Sequence, residues 1–251
     1  MKRLLFLTTV LLLLLLTSCQ EQTPEGSATK MQEYLENKYD QSFEPVSYAG
    51  EKSCWKDYTH KVLVAKFYIP DTPHPDTSSD MNTKVITAAM DNKGNICDDY
   101  FIIQRRTEIA EEFKETIKEE FPECKILVNT NDNFVLENTK CNIDKDCSLK
   151  ELIDSVPDAL FLDIYINSTE DFGSKSEKAC KKLAKQGLET GIHLYNMDDF
   201  YEDFDPLKML FEDENEYTQI TVFNKHITKC IFAILGNGKV KSIDYVGGPE
   251  V

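Results

Sequence analysis

Apolar residues follow three rhythms along this chain. Residues 4–16 form an almost unbroken apolar run behind Met1-Lys2-Arg3. Elsewhere apolar positions recur every three or four residues: Met31, Tyr34, Leu35 and Tyr39; then Ile109, Phe113, Ile117 and Phe121; then Ala179, Leu183 and Leu188. A 3.6-residue helix gathers such positions on one face, which predicts amphipathic helices over 27–39, 107–121 and 174–189. Ser148 and Glu151 form a capping-box pair that predicts a short helix over 148–155. The third rhythm alternates or runs apolar, and is rich in β-branched and aromatic residues. It predicts strands over 43–48, 61–69, 85–90, 96–103, 125–128, 134–137, 159–166, 192–195, 218–223, 226–235 and 240–246.

Turn chemistry joins these strands. Asp91-Asn92-Lys93-Gly94-Asn95 separates 85–90 from 96–103, and residues 129–133 separate 125–128 from 134–137, so each pair reads as a hairpin. Asn224-Lys225 and Gly236-Asn237-Gly238 link the last three strands into an antiparallel meander. Pro70, Pro73 and Pro75 make 70–80 an exposed loop. Phe200, Phe204, Leu207 and Phe211 keep helical spacing, interrupted at Pro206.

The fold class that follows is α+β, with antiparallel β-sheets and flanking amphipathic helices. The 85–90 and 96–103 hairpin resembles the 231–235 and 240–245 hairpin, and each half pairs a helix with hairpins. Two similar helix-on-sheet lobes of the cystatin-like kind, 30–140 and 141–251, account for this, as does one larger domain.

The first apolar run has a different fate. It is shorter than the ~20 residues a spanning helix needs and is preceded by cations, the layout of a secretory signal. Leu16-Thr17-Ser18-Cys19 at its end resembles the lipobox of bacterial lipoproteins. The resemblance implies that residues 1–18 are a signal peptide, and that Cys19 carries a diacylglyceryl group. Residues 19–29 are then a tether on the extracytoplasmic face of the cell membrane. Two acyl chains give a stable anchor where one does not. The chain as a whole is similar to the uncharacterised surface lipoproteins of Gram-positive gut bacteria.

Charge narrows the partners. Loss of residues 1–18 removes Lys2 and Arg3 and no acid, leaving 26 cationic against 44 acidic side chains, a balance of −18. Such a chain repels nucleic-acid phosphates, so no nucleic-acid partner is expected. The membrane, through the N-terminal lipid, is one expected partner; a protein, peptide or envelope polymer is the other.

Seven cysteines remain besides Cys19, an odd number, and none is spaced C-x-x-C. Cys141 and Cys147 bracket a short polar loop and are the candidate local disulfide. Cys97, Cys180 and Cys230 lie inside periodic segments, where a buried small hydrophobe is the commoner role.

Motifs for chemistry are sparse. Gly-x-Ser-x-Gly, a Gly-rich phosphate loop and His-Glu-x-x-His are missing from the sequence. A Cys54–His60 nucleophile pair can be written down, but nothing in the sequence supplies its partners. Asp198, Asp199, Glu202 and Asp203 open an acidic stretch that hard cations would suit, although the Asp-x-Asp-x-Asp-Gly loop is absent and a solvated acidic face is the commoner outcome. Trp55, Tyr58 and Tyr68 near the proline loop could form a stacking patch, with core packing the usual alternative. No cofactor is expected. The balance favours a non-enzymatic binding module at the cell envelope over an extracytoplasmic hydrolase with a carboxylate or Cys/His site, and over a structural surface protein.

Overall fold

Thr23, Pro24 and Glu25 start the first helix earlier than apolar spacing alone suggests. Thr23 Oγ1 accepts the Gly26 N–H at 3.1 Å, Pro24 occupies the first turn where its missing N–H costs nothing, and Glu25 meets the positive helix end. Helix α1 is therefore Pro24–Tyr39. The stretch expected to be tether up to residue 29 is helical from Pro24 onward, with Ser27 and Ala28 already buried. The computed structural model describes residues 23–53, 61–70, 85–130, 134–138, 143–155, 157–167, 170–198, 201–202, 204–206 and 226–247.

Strands β1 (Pro45–Ser53), β2 (Lys61–Tyr68), β3 (Val85–Met90) and β4 (Ile96–Asp98) form an antiparallel sheet in chain order. The fourth strand is shorter than the expected 96–103. Asp98 Oδ1 accepts the Tyr100 N–H at 3.0 Å and Asp99 Oδ1 accepts the Thr87 N–H at 2.9 Å, so these carboxylates end the ladder and turn the chain into helix. Helices α2 (Tyr100–Gln104) and α3 (Arg106–Ile117) follow, with Ile109, Phe113 and Ile117 buried as the four-residue spacing required.

The second sheet holds β5 (Cys124–Thr130), β6 (Leu160–Ile166), β7 (Gly191–Met197), β8 (Ile227–Gly236) and β9 (Lys239–Gly247), again in chain order. Three short or intervening helices are α4 (Phe134–Glu137), α5 (Leu149–Ser155) and α6 (Phe172–Lys185). Residues 134–137, expected as the partner of β5, are the turn of helix α4; β5 pairs with β6 instead. The Ser148–Glu151 box caps α5: Glu151 N–H donates to Ser148 Oγ at 3.2 Å, and Ser148 N–H to Glu151 Oε2 at 2.8 Å.

The molecule is α+β, but its second sheet is mixed. β6 and β7 run parallel through the α6 crossover, with Asp163 beside His193 and Tyr165 beside Tyr195. A parallel pair needs a long connection, which α6 supplies. The echo between halves extends to the hairpins β3–β4 and β8–β9 and stops at this parallel unit. The change of sheet falls between Asp98 and Cys124. A single apolar cluster runs through both sheets, from Met31 and Phe67 to Leu162 and Ile231. Among the described residues, no helix is long and apolar enough to cross a membrane.

Candidate functional site

Strand alternation leaves the five-stranded sheet with one face against helices and one face turned away from them. Leu162, Ile164, Ile192, Leu194, Ile231 and Ala233 are on the covered face and fully buried. Their neighbours Phe161, Asp163, Tyr165, His193, Tyr195, Cys230, Phe232 and Ile234 occupy the other.

At the centre of this open face sits an ionisable pair. His193 Nδ1 lies 2.9 Å from Asp163 Oδ1, and Asn129 Nδ2 donates to Asp163 Oδ2 at 2.8 Å. The Tyr195 hydroxyl donates to Asp163 Oδ1 at 3.4 Å. The Asp163 carboxyl thus gathers His193, Asn129 and Tyr195 around one side chain and fixes the orientation of the imidazole. Aromatic rings wall the imidazole in: Phe161 and Phe232 have ring centroids 4.9 and 5.0 Å from it. Gly191 makes the room, since a Cβ there would stand 2.8 Å from Phe161 Cε2 and 3.0 Å from Phe232 Cε2. His193 stays about one-third exposed, with its side chain at 32%, and Ile234 is 40% exposed.

Farther along the face the surface closes. Tyr165 stacks on Tyr195 at 5.2 Å and meets Phe204 edge-on at 4.7 Å. Leu127, Met197 and Tyr201 complete this smaller cluster. Lys125 holds residues 201–202 and 204–206 in place, its Nζ donating to the carbonyls of Tyr201, at 2.7 Å, and Phe204.

Two features bear on chemistry. The thiol of Cys230 faces the Tyr195 side of the pair, but burial and then the Asp163 charge push it up to about 11. It is a protonated thiol at neutral pH, and only the thiolate is a competent nucleophile. Asp99, buried at the junction of the sheets, is pushed up to about 7, chiefly by burial. The folded protein then keeps the Asp99 proton over a range in which the unfolded chain, titrating at about 4, has lost it. Stability from this group is full below about pH 4 and falls as pH rises to about 7. Asp99→Asn, which cannot titrate, therefore gains stability relative to wild type across that window in urea unfolding. A difference between the two proteins that stays constant with pH would contradict the buried-acid assignment.

No family model and no curated protein matches the chain. Among solved structures, it is similar to a DUF5037 family protein from Ruminococcus gnavus ATCC 29149. That likeness has 14% identity over 86% of this chain and 94% of the other, with a TM-score of 0.38. A likeness of that size constrains neither fold nor function.

The residues singled out from sequence are dispersed. Cys19, Trp55, Tyr58, Cys141, Asp199 and Asp203, like Cys54 and His60, lie outside the described residues. Tyr68 ends β2 in the first sheet, remote in the chain from the open face. Cys147 carries a thiol, and Arg105 donates to its backbone carbonyl, fastening the 143–148 loop to α3. Asp198 is engaged by His226 Nδ1 at 3.0 Å. Among the described residues, no group of three or more His, Cys, Asp or Glu side chains could hold a metal ion. Cys97 and Cys180 are buried in the core, as their periodic settings indicated, while Cys230 is half-buried. Asp163 and His193 were missed, although a lone acid inside Leu160-Phe161-Leu162-Asp163-Ile164 was the available signal.

Proposed function

We propose that the chain is a lipid-anchored binding module on the extracytoplasmic face of the cell membrane, docking an envelope protein on the open face of its second sheet. The observation that carries the reading is the patch of Phe161, His193, Phe232 and Ile234, an aromatic centre with Asn129, Ser242 and Asp244 around it. Aromatic anchors inside a polar surround are the common anatomy of protein interfaces. The lipobox supplies the anchor.

A hydrolase is the second reading, favoured by the carboxylate-oriented imidazole at 2.9 Å. It lacks an activated nucleophile among the described residues, because the Cys230 thiol is held protonated.

Cells expressing the full chain test both parts of the proposal by fractionation and surface crosslinking. Cys19→Ala moves the protein from the membrane to the soluble fraction; a variant that stays membrane-bound would remove the anchor assignment. Ile234→Asp, on an already exposed position, abolishes a crosslinked partner band that wild type and Lys150→Ala both give. A band that survives Ile234→Asp places docking elsewhere.

A further inference from the structure

Arg106 is an arginine in an unfavourable place. It opens α3, where the positive end of the helix disfavours a cation, and it is only 8% exposed. Its Nε and Nη1 are buried with no hydrogen-bond partner, and burial pulls the guanidinium below its ordinary value. Asp99 acts on it through space, without an ion-pair contact between the two among the described residues. Buried guanidinium donors without an acceptor are unfavourable, so an acceptor entering from outside the chain would complete them.

The same side chain lines a cavity of about 400 Å³ between α3, the β5 edge and residues 204–206. That volume is in the range of small-molecule sites. Thr107, Ala110, Glu111 and Lys114 line it at helical spacing, so one stripe of α3 forms a wall. The other cations in the wall are engaged: Lys114 with Glu111 at 3.3 Å, and Lys125 with the backbone carbonyls already described. The remaining lining divides in two. Ile126, Val128, Phe204 and Pro206 are apolar, and Glu202 and Asp205 bring acidic side chains.

We propose that this cavity binds a small zwitterion with an apolar side chain, a free amino acid or a short peptide, its carboxylate paired with Arg106. A guanidinium fork matches a carboxylate bidentately, and the helix terminus adds to the attraction. The ligand ammonium lies toward Glu202 and Asp205, and the apolar side chain lies against Ile126, Val128 and Phe204. The two acids argue against a doubly charged phosphate, which they would repel.

Calorimetric titration of the full chain in detergent tests the assignment with four probes: L-leucine, the dipeptide Leu-Leu, leucinamide and inorganic phosphate. Saturable binding of leucine or of Leu-Leu is expected, and the tighter of the two identifies the source. Leucinamide, which lacks the carboxylate, binds about tenfold to a hundredfold more weakly. Arg106→Met weakens leucine or Leu-Leu binding by a similar factor while its melting temperature holds or rises, since an unpaired buried charge has been removed. Arg106→Lys keeps the charge but loses the fork, binds about tenfold more weakly, and gives the answer where Arg106→Met does not fold. No saturable binding of either ligand, equal binding of leucinamide, unchanged binding by both Arg106 variants, or tighter binding of phosphate would each overturn the proposal. Because Ile234→Asp lies outside the cavity wall, it leaves these titrations unchanged.

Discussion

Asp98→Ala lowers the unfolding free energy by about 3–5 kcal/mol, the range for breaking a buried charge pair from one side. The Asp98 side chain is fully buried and accepts from three donors: Lys38 Nζ at 2.9 Å, the Tyr39 hydroxyl at 2.7 Å and the Tyr100 N–H at 3.0 Å. Lys38 in turn sits over the rings of Tyr34, Tyr39 and Phe101, at 5.3, 5.2 and 5.4 Å from their centroids. Burial pulls the ammonium down, but Asp98 and then Tyr34 outweigh it and hold Lys38 above its ordinary value. Removing Asp98 leaves the buried Tyr39 phenol without this acceptor and the Lys38 ammonium with the Tyr34 hydroxyl, at 3.1 Å, in place of a carboxylate. Urea denaturation measures the loss. Lys38→Met with Asp98→Asn together recovers part of it, because the amide still accepts from Tyr39 while the stranded charge is gone. A loss below about 1 kcal/mol for Asp98→Ala would mean that water replaces the carboxylate and that the network is not structural.

Phe101→Ala costs about 3–5 kcal/mol and destabilises both sheets in one transition. Phe101 is 1% exposed on α2, which lies between the two sheets in the chain. On one side it meets the Lys38 ammonium of α1, and on the other the Phe134 ring of α4, edge-on at 6.2 Å. Truncation opens a cavity where these elements meet. Tyrosine fluorescence and far-ultraviolet circular dichroism follow the unfolding by side-chain and backbone signals. Coincident transitions are expected for wild type and variant alike, because one apolar cluster spans the sheets. Two separated transitions would mean that the halves fold as independent units. The two substitutions share Lys38 as a neighbour, so their costs should not be added.

What could be read from the sequence was the local part of the fold. The spacing of Ile109, Phe113 and Ile117 and the Ser148–Glu151 box carry their information within a few residues, and both elements stand where that information put them. Gly236-Asn237-Gly238 likewise gives a turn between β8 and β9, with Asn237 at φ 52° and Gly238 at φ 68°. Phe134-Val135-Leu136-Glu137 is too short for its period to tell strand from helix. The β6–β7 pairing depends on where α6 lands, which no window of sequence contains. That is why Asp163 and His193, thirty residues apart, could not be brought together beforehand. Arg106 was hidden for a similar reason: its place just ahead of Thr107 is evident, but the cavity it shares with β5 and residues 204–206 depends on where those distant segments land.

The lap of Tyr201, Glu202 and Phe204 over β5 bears on association. An outermost strand carries backbone groups that another chain can pair with, and sheets grow into aggregates from such rows. At β5 the Tyr201 hydroxyl donates to the Glu123 carbonyl, and Lys125 is drawn onto the lapping segment, so an incoming strand meets protein there. The opposite border is β9, where Tyr245 is tied to Glu177 of α6 at 3.2 Å and stays 61% exposed. Among the described residues, strand addition to this sheet therefore has its accessible starting line at β9, while the β5 border is guarded.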